Sequence, residues 1–482
     1  MNRNHFLGKH LPCRDESGIE STWNQKILSG QKRLSEGFAL QYADRSKSSI
    51  SRAMMEQAES SAIELIEFID QSPSPWHAVK SAEARLLGNG SSRLEEGERW
   101  NLVPGEKYHV VRGASLIAFV MGSRSLVEAG FRIVGAHTDS PGLRVKPRPA
   151  LSGEGLMRLG VEVYGGPILA TFTDRDLSLA GRVVVRTASG RETRLVKFDD
   201  PLVRLPNLAI HMNREVNDQG LKLNKQNELP LMFGQIGESA SAEASFRDLL
   251  AHAAGCEAEA LMSWDLAVYD VQKGSLWGAN REFVSDSQLD NLASTHAALM
   301  ALLATKDPQA TAIAAFFDHE EVGSESATGA GGSFISDILS RIGSGLDDED
   351  RSRANSRSFF VSADMAHAYN PNFPNAYEPS HKVMVNGGPV IKTNSNQRYT
   401  SDAETAANFM GFCEKAGVPF QQYSHRGDLG CGSTIGPMVA AQLGIPGVDV
   451  GSPMWAMHSA RESAGVRDHF YMIAALREAF AS

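Results

Sequence analysis

Seven residues at the margins of apolar stretches carry metal-ligand and acid–base chemistry. Four runs, "FRIVGAHTDS" (131–140), "TAIAAFFDHEE" (311–321), "SFFVSADMAH" (358–367) and "IPGVDVGSPMWAMHS" (445–459), each finish in a polar or acidic cluster. They supply His137 and Asp139, Glu320 and Glu321, Asp364, and His458, and Asp290 joins them from the start of a helical stretch near Asn291. Two histidines with several carboxylates and no thiolate suit zinc, manganese or cobalt, zinc being the commonest. The surplus of carboxylates points to two ions. Taken singly, each residue has an ordinary explanation. Asp290 reads as a helix cap, His137 as a core or surface histidine, Asp139 as a turn former before Ser-Pro, and the two glutamates as a helix start favoured by the helix dipole. Independent accident at successive run ends is the poorer account.

Other chemistries fit less well. "DHEEVGS" (318–324) lacks the second histidine of the HExxH zinc helix. "GCGSTIG" (430–436) is not a GxSxG nucleophile elbow. "GSESATGAGG" (323–332) has the spacing of neither a Walker loop nor a dinucleotide fingerprint.

The elements that must position these residues follow from the pattern. Short continuous apolar runs between helical stretches are what the buried strands of an α/β sheet look like, and in such sheets ligands bind beyond the carboxyl ends of the strands. "NLASTHAALMALLATK" (291–306), with Leu292, His296, Leu299 and Leu303 in step, and "STIGPMVAAQLG" (433–444), ending in a C-cap glycine, predict helices. So does "EQAESSAIELIEFIDQ" (56–71), with Ile63, Ile66 and Ile69 on its repeat. Between about 149 and 282 the texture shifts to pieces such as "GRVVVRTASGRETRLVKFDDP" (181–201), whose alternating Val and Arg predict exposed antiparallel strands. "LDDEDRSRANSR" (346–357) reads as a solvated loop. The expected fold is therefore α/β, a mixed, mainly parallel sheet flanked by helices with an inserted β-rich domain. The expected divisions are a poorly ordered N-terminal extension (1–54), a discontinuous catalytic domain (55–148 and 283–482) and the insertion (149–282).

Bulk properties agree. With 482 residues the chain exceeds one ordinary core, and 42% hydrophobic with 22% charged residues is the composition of a soluble globular protein. A net charge of −10 argues against a general nucleic-acid binder, and no apolar run is long enough to span a bilayer. Four scattered cysteines, Cys13, Cys256, Cys413 and Cys431, form no CxxC pair, which fits a reducing cytoplasm.

The phrases "SPSPWHAV" (72–79), "GAHTDSPGLRVKP" (135–147), "LDNLAS" (289–294), "FDHEEVGS" (317–324), "SADMAHA" (362–368) and "MHSARE" (457–462) together resemble, in order, the aspartyl aminopeptidase family of dinuclear zinc metallopeptidases. The resemblance implies that Asp290 bridges two ions, one completed by His137 and Asp364 and the other by Glu321 and His458. It further implies that Asp139 orients His137 and that Glu320 is the general base. The insertion would mediate dimers and carry His211, within "LPNLAIHMNR" (205–214), to the neighbouring subunit's site; the bare reading of His211 is a residue in an apolar strand. By the same resemblance Lys392 and Tyr399, in "IKTNSNQRYTS" (391–401), contact the peptide, Lys392 pairing with an acidic N-terminal side chain, while His367 stands close by. Peptide substrates, two divalent metal ions per subunit, zinc ahead of manganese or cobalt, and a homo-oligomer, a dodecamer built from dimers, are implied too. One departure is visible: Asn370, Pro371 and Asn372 stand where the family often has His-Pro-Asn, so no role attaches to position 370. Two other functions compete: a different dinuclear metal hydrolase such as a carboxypeptidase or amide deacylase, which shares the ligand logic but not the ordered phrases, and a non-catalytic oligomeric scaffold, whose signature would be loss of a ligand or of the base.

Overall fold

Runs of Val, Ile, Ala and Phe with no polar residue to turn toward water form the middle of a nine-stranded sheet. The computed structural model describes residues 52–236 and 241–482; the expected N-terminal extension lies outside these residues up to position 51. The fold is that of the compact unit Glu56–Ser482. The sheet runs in the order Ser92–Arg93, Lys107–Arg112, Ser115–Val120, Thr311–Phe317, Phe131–His137, Phe359–Ala363, Gly447–Gly451, Val390–Thr393 and Gln421–Ser424. Its centre is parallel, with Phe131–His137 between Thr311–Phe317 and Phe359–Ala363, and the latter beside Gly447–Gly451. Antiparallel pairings occur toward both sides, so the sheet is mixed and mainly parallel as expected. All seven residues of Thr311–Phe317 are buried. Helices Phe334–Ile342 and Ile435–Leu443 pack Phe334, Ile335, Ile338 and Val439 against the sheet with Ile117, Ile133, Ile313 and Phe360.

On the other face lies helix Leu289–Ala304, buried nearly all round between the sheet and the C-terminal helix Val466–Ala481. That burial explains its run of Leu and Ala, since no face needs a charge. Its first turn is not helical: Asp290 takes φ −84° and ψ 106°, which turns its side chain away from the usual helical direction.

A second, six-stranded sheet is wholly antiparallel, in the order Gly190–Lys197, Leu177–Thr187, Leu261–Asp270, Gly142–Gly153, Leu156–Tyr164 and Leu231–Gln235. The Val/Arg alternation makes the hairpin of its first two strands, and its core is closed by Phe246, Leu250 and Ala251 of helix Ala242–Ala254. A small third sheet runs Ser275–Trp277, Phe283–Asp286, Glu462–Gly465, Pro453–Trp455 and Ala366–His367.

The stretch expected as a solvated loop is instead partly helix, Asp348–Ser356. Asp347 caps it by accepting the Asp350 N–H, and Asp348, Glu349 and Asp350 fill the first turn, where the helix dipole favours negative charge. The charges do face solvent, so polarity was legible and the cap was not.

Candidate metal centre

The site assembles where strands end. His137 is the last residue of Phe131–His137, Asp364 directly follows Phe359–Ala363, and Glu320 and Glu321 lie three and four residues beyond Phe317. Asp290 comes from the head of the buried helix. His458 arrives from a different place than expected: Gly447–Gly451 is a strand of the nine-stranded sheet, but His458 follows Pro453–Trp455 of the third sheet.

These side chains converge. His137 Nε2 is 3.6 Å from Asp290 Oδ1, 3.6 Å from Asp364 Oδ1 and 3.8 Å from Glu320 Oε2. His458 Nε2 is 3.3 Å from Asp290 Oδ2 and 3.5 Å from Glu321 Oε1. The potential ligand atoms of His137, Asp290 and Asp364 lie within 4.8 Å of one another, as do those of Asp290, Glu321 and His458. Asp290 thus divides its two oxygens between two sets. Its Oδ1 is buried without a hydrogen-bond partner among the described residues, an expensive state for a carboxylate oxygen unless a cation sits there.

Electrostatics favour the same conclusion. Burial, then Asp364, raises the pKa of Asp290, and burial, then Asp290, raises that of Glu321. Burial pushes Glu320 up to about 8, helped by Asp364, Asp139 and Asp290 and opposed by His137. Burial would depress both imidazoles, yet Glu320, Asp139 and Asp364 lift His137 and Asp290 lifts His458. Burial thus favours the protonated forms of Asp290, Glu320 and Glu321 until stronger positive charge replaces the protons, and the donor set fits divalent ions of the zinc type.

Asp139 sits behind this cluster, fully buried. Its oxygens accept the N–H groups of Glu320 (3.1 Å) and Glu321 (3.1 Å) and the Tyr164 hydroxyl (2.7 Å), and Oδ1 is 3.4 Å from His137 Nδ1. The backbone oxygen of Asp139 accepts from His137 Nδ1 at 3.0 Å, which leaves Nε2 to face the carboxylates. Although burial raises the Asp139 carboxyl, the bonds from His137 and Tyr164 outweigh it and hold the group below the usual range. His458 is oriented by a different region: its Nδ1 lies 3.1 Å from the carbonyl of Gly166, just past the strand Leu156–Tyr164. Here glycine is required, for Gly165 has φ +65° and a Cβ on it would stand 3.1 Å from Glu321 Cβ.

The metal-type cluster lines a cavity of about 280 Å³ together with His367, Lys392, Tyr399 and Tyr423. Lys392 is buried, its Nζ 3.5 Å from Asp364 Oδ2, 3.2 Å from the Met365 carbonyl and 5.1 Å from the Tyr399 ring centre. Lys392 and His137 hold Asp364 low despite burial. His367, pushed down to about 4 by burial and then by Lys392, is neutral. His211 is not brought to this cavity. It lies in an exposed turn rather than an apolar strand, flanked by Leu208, Ile210 and Met212 at 66%, 46% and 74% exposure. Two contributors take no role from the sequence, Tyr164, which holds Asp139, and Glu462, the last residue of "MHSARE", treated below.

Residues 68–480 match the family model described as Aminopeptidase I zinc metalloprotease (M18). A probable M18 family aminopeptidase 2 of Pseudomonas paraeruginosa is 46% identical over 422 residues, covering 87% of this chain and 97% of the relative. Among solved structures, a chain of the Ape4 and Nbr1 complex superposes with a TM-score of 0.86 at 36% identity, covering 88% of this chain and 86% of that one. The S. cerevisiae mApe1 dodecamer gives 0.76 at 26% identity, covering 87% and 96%. These matches make the chain a metallopeptidase. The chain belongs to the M18 family of zinc aminopeptidases and is a metalloaminopeptidase. That membership sets aside the carboxypeptidase, deacylase and scaffold readings. No helix among the described residues is long and apolar enough to cross a membrane.

Proposed function

We propose that the chain releases N-terminal residues from peptides using two divalent ions, zinc in the first instance and manganese or cobalt as substitutes. His137, Asp290 and Asp364 would hold one, and Asp290, Glu321 and His458 the other. The observation that carries this reading is the division of Asp290, with one oxygen toward each histidine and Oδ1 otherwise unpartnered. When bound, two such ions lower the pKa of a water and polarise the scissile carbonyl. Glu320 takes the proton of the attacking water and delivers it to the leaving amine, a role its placement 3.8 Å from His137 Nε2 at the edge of the ligand set supports. Asp139 fixes the ring of His137 and, through two backbone N–H groups, the glutamate pair.

The ammonium of Lys392 is the one lysine or arginine among the described residues lining the cavity, which favours acidic N-terminal side chains. Tyr399 and His367 line the same wall. The proposed divisions are the catalytic parts 55–148 and 283–482 and a dimerising insertion, 149–282, that offers His211 to a neighbouring site. The exposed Leu208, Ile210 and Met212 support an interface there, and the relative solved as a dodecamer supports a dodecamer built from dimers. A cytoplasmic location accords with unpaired Cys256, Cys413 and Cys431. The test is a panel of aminoacyl substrates, free and N-blocked, with metal content by elemental analysis and mass by light scattering. Two ions per chain, hydrolysis lost on blocking, and Asp and Glu substrates leading are expected. Equal rates on basic and acidic residues would remove the role of Lys392.

A further inference from the structure

We propose that Glu462 is a positioning residue, one buried carboxylate that sets the backbones of Asp290 and His458 relative to each other and so builds the second ion's site. The inference rests on the reading of Asp290, Glu321 and His458 as ligands.

The third sheet shows how this works. Glu462–Gly465 pairs on one side with Phe283–Asp286 and on the other with Pro453–Trp455, and Glu462, its first residue, stands opposite Asp286. From the first flanking strand the chain continues to Asp290, and from the second to His458. Two ligand-bearing segments therefore leave the sheet on either side of Glu462. Its side chain closes the gap: Oε2 accepts the N–H of Asp290 at 3.0 Å and Oε1 that of His458 at 2.6 Å. Glu462 is 2% exposed, so water does not compete for these bonds.

His458 needs such a hold. It has φ 69°, and Ala456 before it has φ 57°, both in the left-handed region that non-glycine residues adopt only when the surroundings impose it. The chemistry of the clamp is specific. Both backbone groups are donors, so both partner atoms must be acceptors. A carboxamide offers one oxygen and turns an NH₂ toward the other N–H, while an aspartate is one methylene short of reaching both.

The experiment measures zinc dissociation constants of both sites by calorimetric titration of metal-stripped protein, for wild type, Glu462→Gln, Glu462→Asp and His458→Ala. For Glu462→Gln the expected result is weakening of about 10- to 100-fold at the site that His458→Ala abolishes, with a smaller loss at the other. Glu462→Asp should lose affinity at the same site. Constants within threefold of wild type at both sites, or equal loss at both, overturn the proposal. Should Glu462→Gln fail to fold, Glu462→Asp decides by the same criterion. If His458→Ala itself keeps both ions, the ligand reading falls instead, which separates the two failures.

Discussion

The two halves of the proposed ligand cluster are built by different means. His137 and Asp364 stand at the ends of neighbouring parallel strands, in register with a fully buried sheet centre, and the His137 side chain is 2% exposed. His458 rides on a loop from the small third sheet with a left-handed backbone, its side chain is 30% exposed, and the Gly166 carbonyl and the Glu462 carboxylate hold it. Strand hydrogen bonds and core packing set the first half; a few separate contacts from other parts of the fold set the second. Perturbations that spare the sheet should therefore reach the His458 half first.

Replacing what both halves serve gives the largest expected effect. Glu320→Gln should lower turnover on the order of 100- to 10,000-fold with metal content equal to wild type by elemental analysis; loss of an ion would make Glu320 a ligand and blur the division. Glu321→Gln should lose the ion of the His458 half and keep the other, read by the same analysis, and retention of both would break the comparison. Acid should loosen the same half. Burial pushes His469 down to about 3, and burial, then His469, lowers His296, whose Nδ1 lies 2.9 Å from His469 Nε2. This pair ties the helix headed by Asp290 to the helix that follows Glu462–Gly465. Folded values below the unfolded value of about 6.5 mean that the unfolded chain binds more protons as pH falls. The contribution of this pair is then complete above about pH 6.5 and lost progressively toward pH 3, with His469 alone costing about 2 kcal/mol at pH 5. Urea midpoints at pH 7.5 and 5 should differ less in His469→Gln than in wild type, the wild type being the more acid-sensitive of the two. The smallest effect tests the first half. Tyr164→Phe removes one bond to Asp139, worth about 1 kcal/mol, and should reduce kcat/KM about fivefold with both ions retained.

What the sequence disclosed and what it withheld divide along physical lines. A strand buried on both faces must be apolar throughout and must stop where polar residues begin, so Phe131–His137, Thr311–Phe317 and Phe359–Ala363 announce both themselves and the residues after them. Contacts to backbone N–H groups leave no such trace. Glu462 lies 172 positions from Asp290, and any acceptor of the right reach would look the same in the chain. Tyr164 is hidden for a related reason, since it reaches Asp139 from the second sheet. In the first helix, Arg52–Asp70, the buried face is Ala58, Ala62, Leu65, Phe68 and Ile69, whereas Ile63 is 41% exposed, because small alanines allow close packing that a search for large residues passes over.

The Gly166 carbonyl carries one further consequence. It belongs to the segment just past an interior strand of the six-stranded sheet, yet it fixes the imidazole of His458. A single peptide group thereby ties the orientation of the imidazole to the position of that sheet.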